Sequence, residues 1–371
     1  MQKKNDILIT GGHAATTAIP VIEKLQKEYS GYNLFWVGPK SAVEGKFVPT
    51  LASEVMPKLG VKFIPITTGR LQRKFTIWTI PSLLKIPIGI LQSFKILFDI
   101  KPKIILSFGG YASVPVCFAG FVLGIPVFVH EQTVAVGLAN KISSSFAKKI
   151  FIAREESKQS LHDCLGKKIF LVGNPISSEI LKIPAKTKIS KSPTLYITGG
   201  SSGAQRINNA VSEILYELLK NYKVIHQTGK LDYQKFENLK NEFPTDLKKN
   251  YEVYAFLDPK NVSNIFEKSD LIISRAGANT ISEIAITGRP AIIIPIPWTS
   301  YNEQFKNAQM LEKSGQAIVL EEKYLTGQNL LNKINLVIKN WKSMANKKSE
   351  IAELDKKAAG KIVQEIEEYL K

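Results

Sequence analysis

Residues 195–211 read LYITGGSSGAQRINNAV, an apolar run followed by a glycine-rich turn and then an amphipathic, polar run. This order is typical of a buried strand that leads into a helix. A turn at Gly199-Gly200-Ser201-Ser202-Gly203 would direct backbone N–H groups outward at the positive end of the helix dipole, where anions bind. The alternative is a tight turn without a ligand, and this stretch alone leaves both readings open.

Similar turns recur earlier in the chain. Residues 7–13 read ILITGGH and residues 104–111 read IILSFGGY, and each is an apolar run that ends in a Gly-Gly pair. Glycine lets a phosphate approach the backbone closely because it has no Cβ. Three such turns favour an extended ligand that carries phosphate groups.

Length and composition indicate two ordinary α/β domains. The chain has 371 residues, and its apolar fraction of 44% is ample for two cores. Its two cysteines, Cys117 and Cys164, have no metal-ligand spacing and predict neither a disulfide framework nor a zinc site. The amino terminus, MQKKNDILIT, contains no apolar signal-peptide segment. We therefore expect a cytoplasmic protein.

The net charge of +18 suggests either nucleic acid or an anionic membrane surface as a partner. Between Lys58 and Lys103 there are nine basic residues and one acidic residue, and residues 75–98 read FTIWTIPSLLKIPIGILQSFKILF. Apolar faces with basic rims indicate an interfacial membrane element, and the alternative is a pair of core helices with exposed lysines. No RNA-binding signature accompanies the charge, so we expect no nucleic acid partner.

Strand-like and helical segments alternate through both halves of the chain. The apolar runs at 6–10, 33–37, 61–66, 103–107, 125–129 and 149–153 form one series, and a second begins at TLYIT, 194–198. This alternation predicts two doubly wound, Rossmann-like α/β domains that face each other across a cleft. We expect domains at 1–172 and 194–345, joined by a linker at 173–193. Residues 346–371 should form a helix whose apolar stripe docks on a domain face.

Few residues outside the glycine turns could support chemistry. His13 follows the first turn and could accept a proton near neutral pH, or it could be structural. His130-Glu131-Gln132 follows the strand-like segment IPVFV, as either a local hydrogen-bonding cluster or part of a site. Glu283 falls in the first turns of a predicted helix, where it could bind the vicinal hydroxyls of a ribose or simply favour the helix dipole.

A set of motifs follows in order along the chain from about residue 7 to residue 320. They are TGGH, SFGGY, GIPVFVHEQ, GLANK, VGNP, GGSSGAQRINN, HQTGK, SRAGANTISEIAITGRPAIIIP and NEQFKNAQMLEKSG. In sequence and spacing these motifs closely resemble those of the MurG family of N-acetylglucosaminyltransferases in peptidoglycan synthesis. The resemblance implies a GT-B fold. The amino-terminal domain would hold a lipid-linked acceptor, and the carboxyl-terminal domain would hold UDP-GlcNAc.

The resemblance also implies roles for individual residues. His13 would be the catalytic base, and Glu283 would bind the uridine ribose. The expected donor-binding residues are Thr10, Gly11, Gly12, Ser201, Leu257, Ala278, Asn279, Thr280, Ile281, Ser282, Glu283 and Gln304. The expected acceptor-binding residues are Gly109, Gly110, Tyr111, His130, Glu131 and Gln132. The chain departs from the family pattern at Leu8-Ile9, Thr16, Thr133, Ser177 and Ser202.

These observations predict inverting transfer of GlcNAc from UDP-GlcNAc to the MurNAc 4-hydroxyl of undecaprenyl-linked lipid I, forming lipid II. The expected location is peripheral, on the anionic inner face of the cytoplasmic membrane, with no cofactor and no metal. The alternatives are another UDP-sugar-dependent lipid glycosyltransferase of the same fold and a non-catalytic homologue that binds nucleotide and membrane. A nucleotide-dependent oxidoreductase is disfavoured because no full G-x-G-x-x-G follows the first strand-like segment.

Overall fold

A computed structural model of the protein describes residues 5–12, 15–28, 31–43, 46–69, 79–200 and 203–371. The chain divides into two compact units. The first unit comprises Met1–Pro175 and Lys357–Lys371, and the second comprises Ile176–Lys356.

The first unit contains one parallel β-sheet and a short hairpin. Its strands are β1 (Asn5–Thr10), β2 (Tyr32–Gly38), β3 (Ser41–Val43), β4 (Lys46–Pro49), β5 (Lys62–Pro65), β6 (Ile104–Ser107), β7 (Val127–Glu131), β8 (Lys149–Ile152) and β9 (Ile169–Leu171). Seven of them form a parallel sheet in the order β5-β2-β1-β6-β7-β8-β9, while β3 and β4 pair antiparallel. The strand order reverses between β1 and β6, which is where doubly wound folds bind ligands.

Helices cover both faces of this sheet. They are α1 (Ala15–Glu28), α2 (Leu51–Val55), α3 (Thr79–Ile100), α4 (Ser113–Val122) and α5 (Leu138–Phe146). The uncharged run at 104–129 is divided into β6, α4 and β7, as the glycines and prolines in it predict. None of the helices described in the structure is long and apolar enough to cross a membrane.

The second unit repeats the plan with six parallel strands. They are β10 (Thr194–Thr198), β11 (Lys223–Gln227), β12 (Tyr251–Tyr254), β13 (Leu271–Ser274), β14 (Ala291–Ile293) and β15 (Ala317–Val319), in the order β12-β11-β10-β13-β14-β15. Its helices are α6 (Ser178–Leu181), α7 (Gln205–Asn221), α8 (Tyr233–Glu242), α9 (Thr245–Lys248), α10 (Pro259–Lys268), α11 (Ala278–Thr287), α12 (Glu303–Lys313), α13 (Gly327–Lys339), α14 (Trp341–Met344) and α15 (Glu350–Asp355). Here the order reverses between β10 and β13.

The predicted class, two Rossmann-like α/β domains built on parallel sheets, is confirmed. Each strand-like run of the sequence corresponds to a strand of one of the sheets, and TLYIT and KVIHQ match β10 and β11 residue for residue. The runs are almost wholly apolar because both faces of a parallel sheet are covered by helices. In β10, for example, Leu195 and Ile197 pack in one core cluster and Tyr196 packs in another.

The unit boundaries differ from those expected of a free linker and a single terminal helix. Ile176 and Ile180 are buried in a core of the second unit, so the chain joins that unit directly after Pro175. The terminal stripe forms two helices, α15 and α16 (Ala358–Leu370). Ile351 packs in the second unit, whereas Ile362 and Ile366 pack in the first, because the chain returns to the first unit at residue 357.

Candidate nucleotide-sugar site

The glycine turn of the second unit lies at the switch point of its sheet. It follows β10, and β10 pairs with β13, with Thr198 opposite Ser274. The segment after β13 leads into α11, so both motifs lie side by side at the carboxyl edge of the sheet. This is the edge at which open α/β sheets bind their ligands.

The turn after β10 leaves no room for side chains at two of its glycines. A Cβ on Gly199 would lie 2.3 Å from the Ala204 nitrogen, and a Cβ on Gly203 would lie 2.3 Å from the Thr228 carbonyl oxygen. Gly203 also has a φ of +76°, in the left-handed region that favours glycine. A side chain from the neighbouring strand also stabilises the turn, because Gln227 Nε2 donates a hydrogen bond to the carbonyl of Gly200 at 3.4 Å.

The helix that follows this turn begins without a side-chain cap. Ala204 occupies the N-cap position of α7, and no side chain among the described residues caps its first turn. Helix N-termini of this kind bind phosphate because several N–H groups and the helix dipole act together. Ser201 and Ser202 lie outside the described residues.

The helix α11 presents a polar face and an apolar face. Ile281 is buried in the core, and Ser282 is fully buried with its hydroxyl donating to the Ala278 carbonyl at 3.0 Å. Asn279, Thr280 and Glu283 are only partly buried and lie on the other face, with Glu283 about one turn after the first two. Of the predicted residues on this helix, these three and Ala278 are therefore partly exposed, and they stay candidates for contact with a ligand.

Glu283 is a carboxyl group in an unfavourable environment. Burial raises its pKa from 4.5 to about 8. Desolvation disfavours the charged form of a carboxyl group, and a partner that donates hydrogen bonds restores it. A pair of ribose hydroxyls would be such a partner.

Gln304 is held with a defined orientation at the start of α12. Its Oε1 accepts hydrogen bonds from the backbone N–H groups of Ala276, at 3.3 Å, and of Ile296, at 3.0 Å. The Nε2 donors are therefore directed away from these two loops. Two residues just before the helix, Tyr301 and Asn302, have φ values of +53° and +56°. Backbone strain of this kind is characteristic of functional sites.

Two further features of the second unit are the burial of Leu257 and an ion pair that sequence reasoning did not predict. Leu257 follows β12 and belongs to the same buried core cluster as Tyr196, with 6% of its surface exposed. Arg275, directly after β13, forms a buried ion pair with Glu322 and donates to the Ile294 carbonyl at 3.1 Å. Sequence reasoning missed this pair because the two residues are far apart in the chain.

The first unit brings two other glycine turns together. Thr10 and Ser107 are opposite each other at the ends of β1 and β6, and the N–H of Gly12 donates to the Gly109 carbonyl at 2.9 Å. Thr10 is fully buried and its hydroxyl donates to the Val37 carbonyl at 2.9 Å, so it supports the turn from inside. His13 lies outside the described residues.

The predicted acceptor residues lie in two different environments. His130 and Glu131 are the last residues of β7 and are 0% and 3% exposed, so their side chains are enclosed within the unit. His130 Nε2 lies 3.0 Å from the Gly173 carbonyl oxygen. Gln132 and Tyr111 are partly exposed beyond the strand ends and can still contact a ligand.

The described residues contain no group of three or more histidine, cysteine, aspartate or glutamate side chains that could hold a metal ion.

The partly exposed polar groups of the second unit could make three kinds of contact with a ligand. They are backbone N–H groups at a helix start, a carboxyl group for hydroxyls, and an oriented amide.

Comparison with known proteins identifies the class of this site. Residues 10–152 match the glycosyltransferase family 28 N-terminal domain, and residues 194–366 match the glycosyltransferase family 28 C-terminal domain. A UDP-N-acetylglucosamine–N-acetylmuramyl-(pentapeptide) pyrophosphoryl-undecaprenol N-acetylglucosamine transferase of Clostridium kluyveri is 34% identical over 373 residues, which cover 98% of this chain and 99% of that protein. The chain belongs to the MurG family.

Membership of the MurG family makes the protein a glycosyltransferase, as the sequence predicted. The crystal structure of Acinetobacter baumannii MurG has a TM-score of 0.69 at 22% identity, covering 98% of this chain and 99% of that one. This likeness confirms the GT-B fold. A UDP-GlcNAc 2-epimerase from Neisseria meningitidis, bound to UDP-GlcNAc, has the same TM-score at 16% identity, covering 98% and 100% of the two chains. The fold alone therefore does not determine which reaction the protein catalyses. Membership of the MurG family limits that reaction to glycosyl transfer.

Proposed function

We propose that the protein transfers GlcNAc from UDP-GlcNAc to the 4-hydroxyl of MurNAc in undecaprenyl-linked lipid I, with inversion at C1, and so forms lipid II. The observation that carries this proposal is the 34% identity, over nearly the whole chain, to a relative that is named as an N-acetylglucosamine transferase for UDP-N-acetylglucosamine and N-acetylmuramyl-(pentapeptide) pyrophosphoryl-undecaprenol. The 4-hydroxyl as the acceptor group and the inversion at C1 are part of the proposal. The alternatives, a different lipid acceptor or a non-catalytic homologue, differ from it in measurable products.

Three kinds of polar group in the second unit support this proposal. The uncapped start of α7, next to the turn at 199–203, would bind the diphosphate and stabilise the negative charge that grows on UDP as it leaves. Glu283 would accept hydrogen bonds from the ribose hydroxyls, and Gln304 would donate from Nε2 to the sugar. Preorganised donors of this kind act without reorganisation during the reaction.

His13 is the proposed general base that removes the proton from the attacking acceptor hydroxyl. It directly follows Gly12, whose backbone N–H is fixed by Gly109 in the neighbouring turn. General-base catalysis by a positioned side chain accelerates such a step by about 10²- to 10⁴-fold. No cofactor takes part in the proposed reaction.

A stripe of exposed apolar residues on α3 is the proposed membrane contact. Ile80, Leu84, Ile88 and Leu91 recur at steps of three or four on this helix, and Leu84 and Leu91 are 69% and 71% exposed. Lys85 and Lys95 lie on the same helix. An apolar face with basic neighbours binds the surface of an anionic bilayer, here the inner face of the cytoplasmic membrane.

The test is transfer of labelled GlcNAc from UDP-GlcNAc to a lipid I analogue, by wild type, His13→Ala and the control His162→Ala. His162 is an exposed histidine, so its loss should leave the rate unchanged. Transfer that is lost only in His13→Ala supports both the reaction and the base. Absence of transfer by wild type, in folded protein that binds UDP-GlcNAc, would exclude lipid I as the acceptor.

A further inference from the structure

The carboxylate of Glu131 is engaged inside the first unit. Its Oε1 accepts from the backbone N–H of Thr133 at 2.9 Å, and the Thr133 hydroxyl lies 2.8 Å from the same oxygen. Its Oε2 accepts from the N–H of Gly137 at 3.2 Å and from Asn140 Nδ2 at 2.9 Å. Three N–H donors of the same unit therefore bind this carboxyl group, which is almost fully buried, while the Thr133 hydroxyl also lies 2.6 Å from the Ala135 carbonyl oxygen. The carboxyl group thus fixes the loop 133–137 and the start of α5.

Asn140 connects this carboxylate to the second glycine turn. Its side chain is buried, and Nδ2 donates both to Glu131 Oε2 and to the His130 carbonyl, the latter at 3.2 Å. Because both partners are acceptors, the amide nitrogen must face them and Oδ1 must face away. Oδ1 lies against Gly109, where an added Cβ would come within 2.5 Å of it. The Asn140 side chain therefore packs directly against this turn and limits where its backbone can lie.

The second glycine turn in turn positions the first. Gly109 and Gly110 have φ values of +82° and +89°, and the Gly109 carbonyl accepts the N–H of Gly12. An added Cβ on Gly110 would lie 2.8 Å from the nitrogen and Cα of Gly12. The two turns thus contact each other backbone to backbone, and a shift of one displaces the other.

Asn140 Oδ1 is a buried acceptor without a hydrogen-bond partner among the described residues, and it faces Gly109. The amide oxygen therefore contacts the glycine turn by close packing and not through a hydrogen bond.

We propose that Glu131 and Asn140 are positioning residues for sugar transfer, which hold the two glycine turns of the first unit in register without contacting a substrate. This inference rests on the proposed function, because transfer is its readout. It assigns Glu131, which the sequence places among acceptor contacts, to an internal role. It also gives a role to Asn140, for which sequence reasoning had assigned none.

The test begins with Asn140→Ala, for which kcat, both KM values and the Kd of UDP are measured. We expect kcat to fall at least tenfold because the turns lose their support. The Kd of UDP should stay within twofold of wild type, because the groups proposed to bind UDP, the start of α7 and Glu283, are in the other unit. Glu131→Gln, which keeps the size of the side chain but replaces an acceptor oxygen with a donor, should lower kcat in the same way and carries the test if Asn140→Ala does not fold.

A double-mutant cycle tests the contact itself. Gly109→Ala should lower kcat at least fivefold more in wild type than in the Asn140→Ala background, because removing Asn140 also removes the clash with the new Cβ. The strain of placing an alanine at a positive φ at position 109 is the same with and without Asn140, so it cancels when the two changes in kcat are compared. Gly124→Ala is the matched control, because Gly124 has a φ of +69° but open space where the Cβ would lie.

The outcomes separate the two proposals. No transfer by wild type would refute the proposed function. Normal wild-type transfer together with an Asn140→Ala kcat within twofold of wild type would overturn the positioning role alone. A defect confined to the acceptor KM would also overturn it, since that pattern indicates direct acceptor binding.

Discussion

Replacing Glu283 by glutamine should make the protein more stable and less able to bind its donor. The pKa of this carboxyl group is raised from 4.5 to about 8 by burial. The folded state therefore holds the proton more tightly than the unfolded state, so this group favours folding below pH 4.5. That contribution is lost as the pH rises through the interval up to 8. A neutral glutamine of the same size does not incur the loss.

The magnitude follows from the two pKa values. A rise from 4.5 to about 8 corresponds to about 5 kcal/mol of free energy of unfolding once the pH exceeds 8. Because the Glu283 side chain is only partly buried, water screens the charge, and we expect about 1–3 kcal/mol. Glu283→Gln should therefore raise the Tm relative to wild type, by an amount that grows between pH 5 and pH 9.

Donor binding should change in the opposite direction. Because its pKa is raised by burial, the Glu283 carboxyl group loses its proton within the range from pH 5 to pH 9 and not near pH 4.5. The ionised form accepts both ribose hydroxyls, so the affinity of wild type for UDP should rise severalfold over this range. Glu283→Gln should bind UDP more weakly and show no such rise.

Thermal unfolding and calorimetric titration with UDP, each from pH 5 to pH 9, check both effects. Glu242→Gln is the control, because Glu242 is exposed at the end of α8 in the same unit and should behave as wild type. A Glu283→Gln protein that is no more stable than wild type at pH 9 would refute the desolvation argument. An unchanged UDP affinity would refute the ribose assignment.

Four further variants test other parts of the structure. Gly203→Ala should weaken UDP binding at least tenfold in titration, because its Cβ would lie 2.3 Å from the Thr228 carbonyl oxygen and disturb the turn. Gln304→Glu should raise the KM for UDP-GlcNAc about tenfold in steady-state assays, because the new side chain lacks the Nε2 donors. The double variant Leu84→Glu/Leu91→Glu should abolish sedimentation with anionic vesicles, whereas Leu336→Glu, a control on α13, should sediment like wild type. His226 is fully buried with its pKa lowered to about 3 by desolvation, so its contribution to stability is present above pH 6.5 and falls as the pH drops below that value. His226→Gln should therefore be less stable than wild type at pH 8, and urea unfolding should show this deficit shrinking by about 2 kcal/mol at pH 5.

The candidate site was predictable where local sequence fixes the backbone. The glycine turns and the helix start after β10 follow from residue type, because only glycine fits at positions 199 and 203. The roles of side chains on α11 were less predictable. A run from Ala278 to Glu283 is continuous in the sequence, but the helical period turns Ile281 and Ser282 towards the core and leaves Asn279, Thr280 and Glu283 on the other face.

The environment of His130 and Glu131 depended on where a strand ends. The sequence places this pair just after a strand at 125–129, which would put both side chains at the open edge of the sheet. The strand β7 instead extends to Glu131, so both residues lie within the sheet and are covered on both sides. Two further residues of strand thus decide whether these side chains lie at the open edge of the sheet or within it.

The amino-acid sequence by itself determined the two-sheet α/β class, the positions of the strands and the glycine turns, and the family. These depend on apolar runs, on glycine and proline, and on motif order, all of which are local properties of the chain. Only the tertiary structure decided which polar groups are enclosed and which remain accessible. It also showed that the terminal stripe is shared between two units and that Asn140 contacts Gly109. Those features arise from packing between residues distant in the chain, which no local pattern specifies.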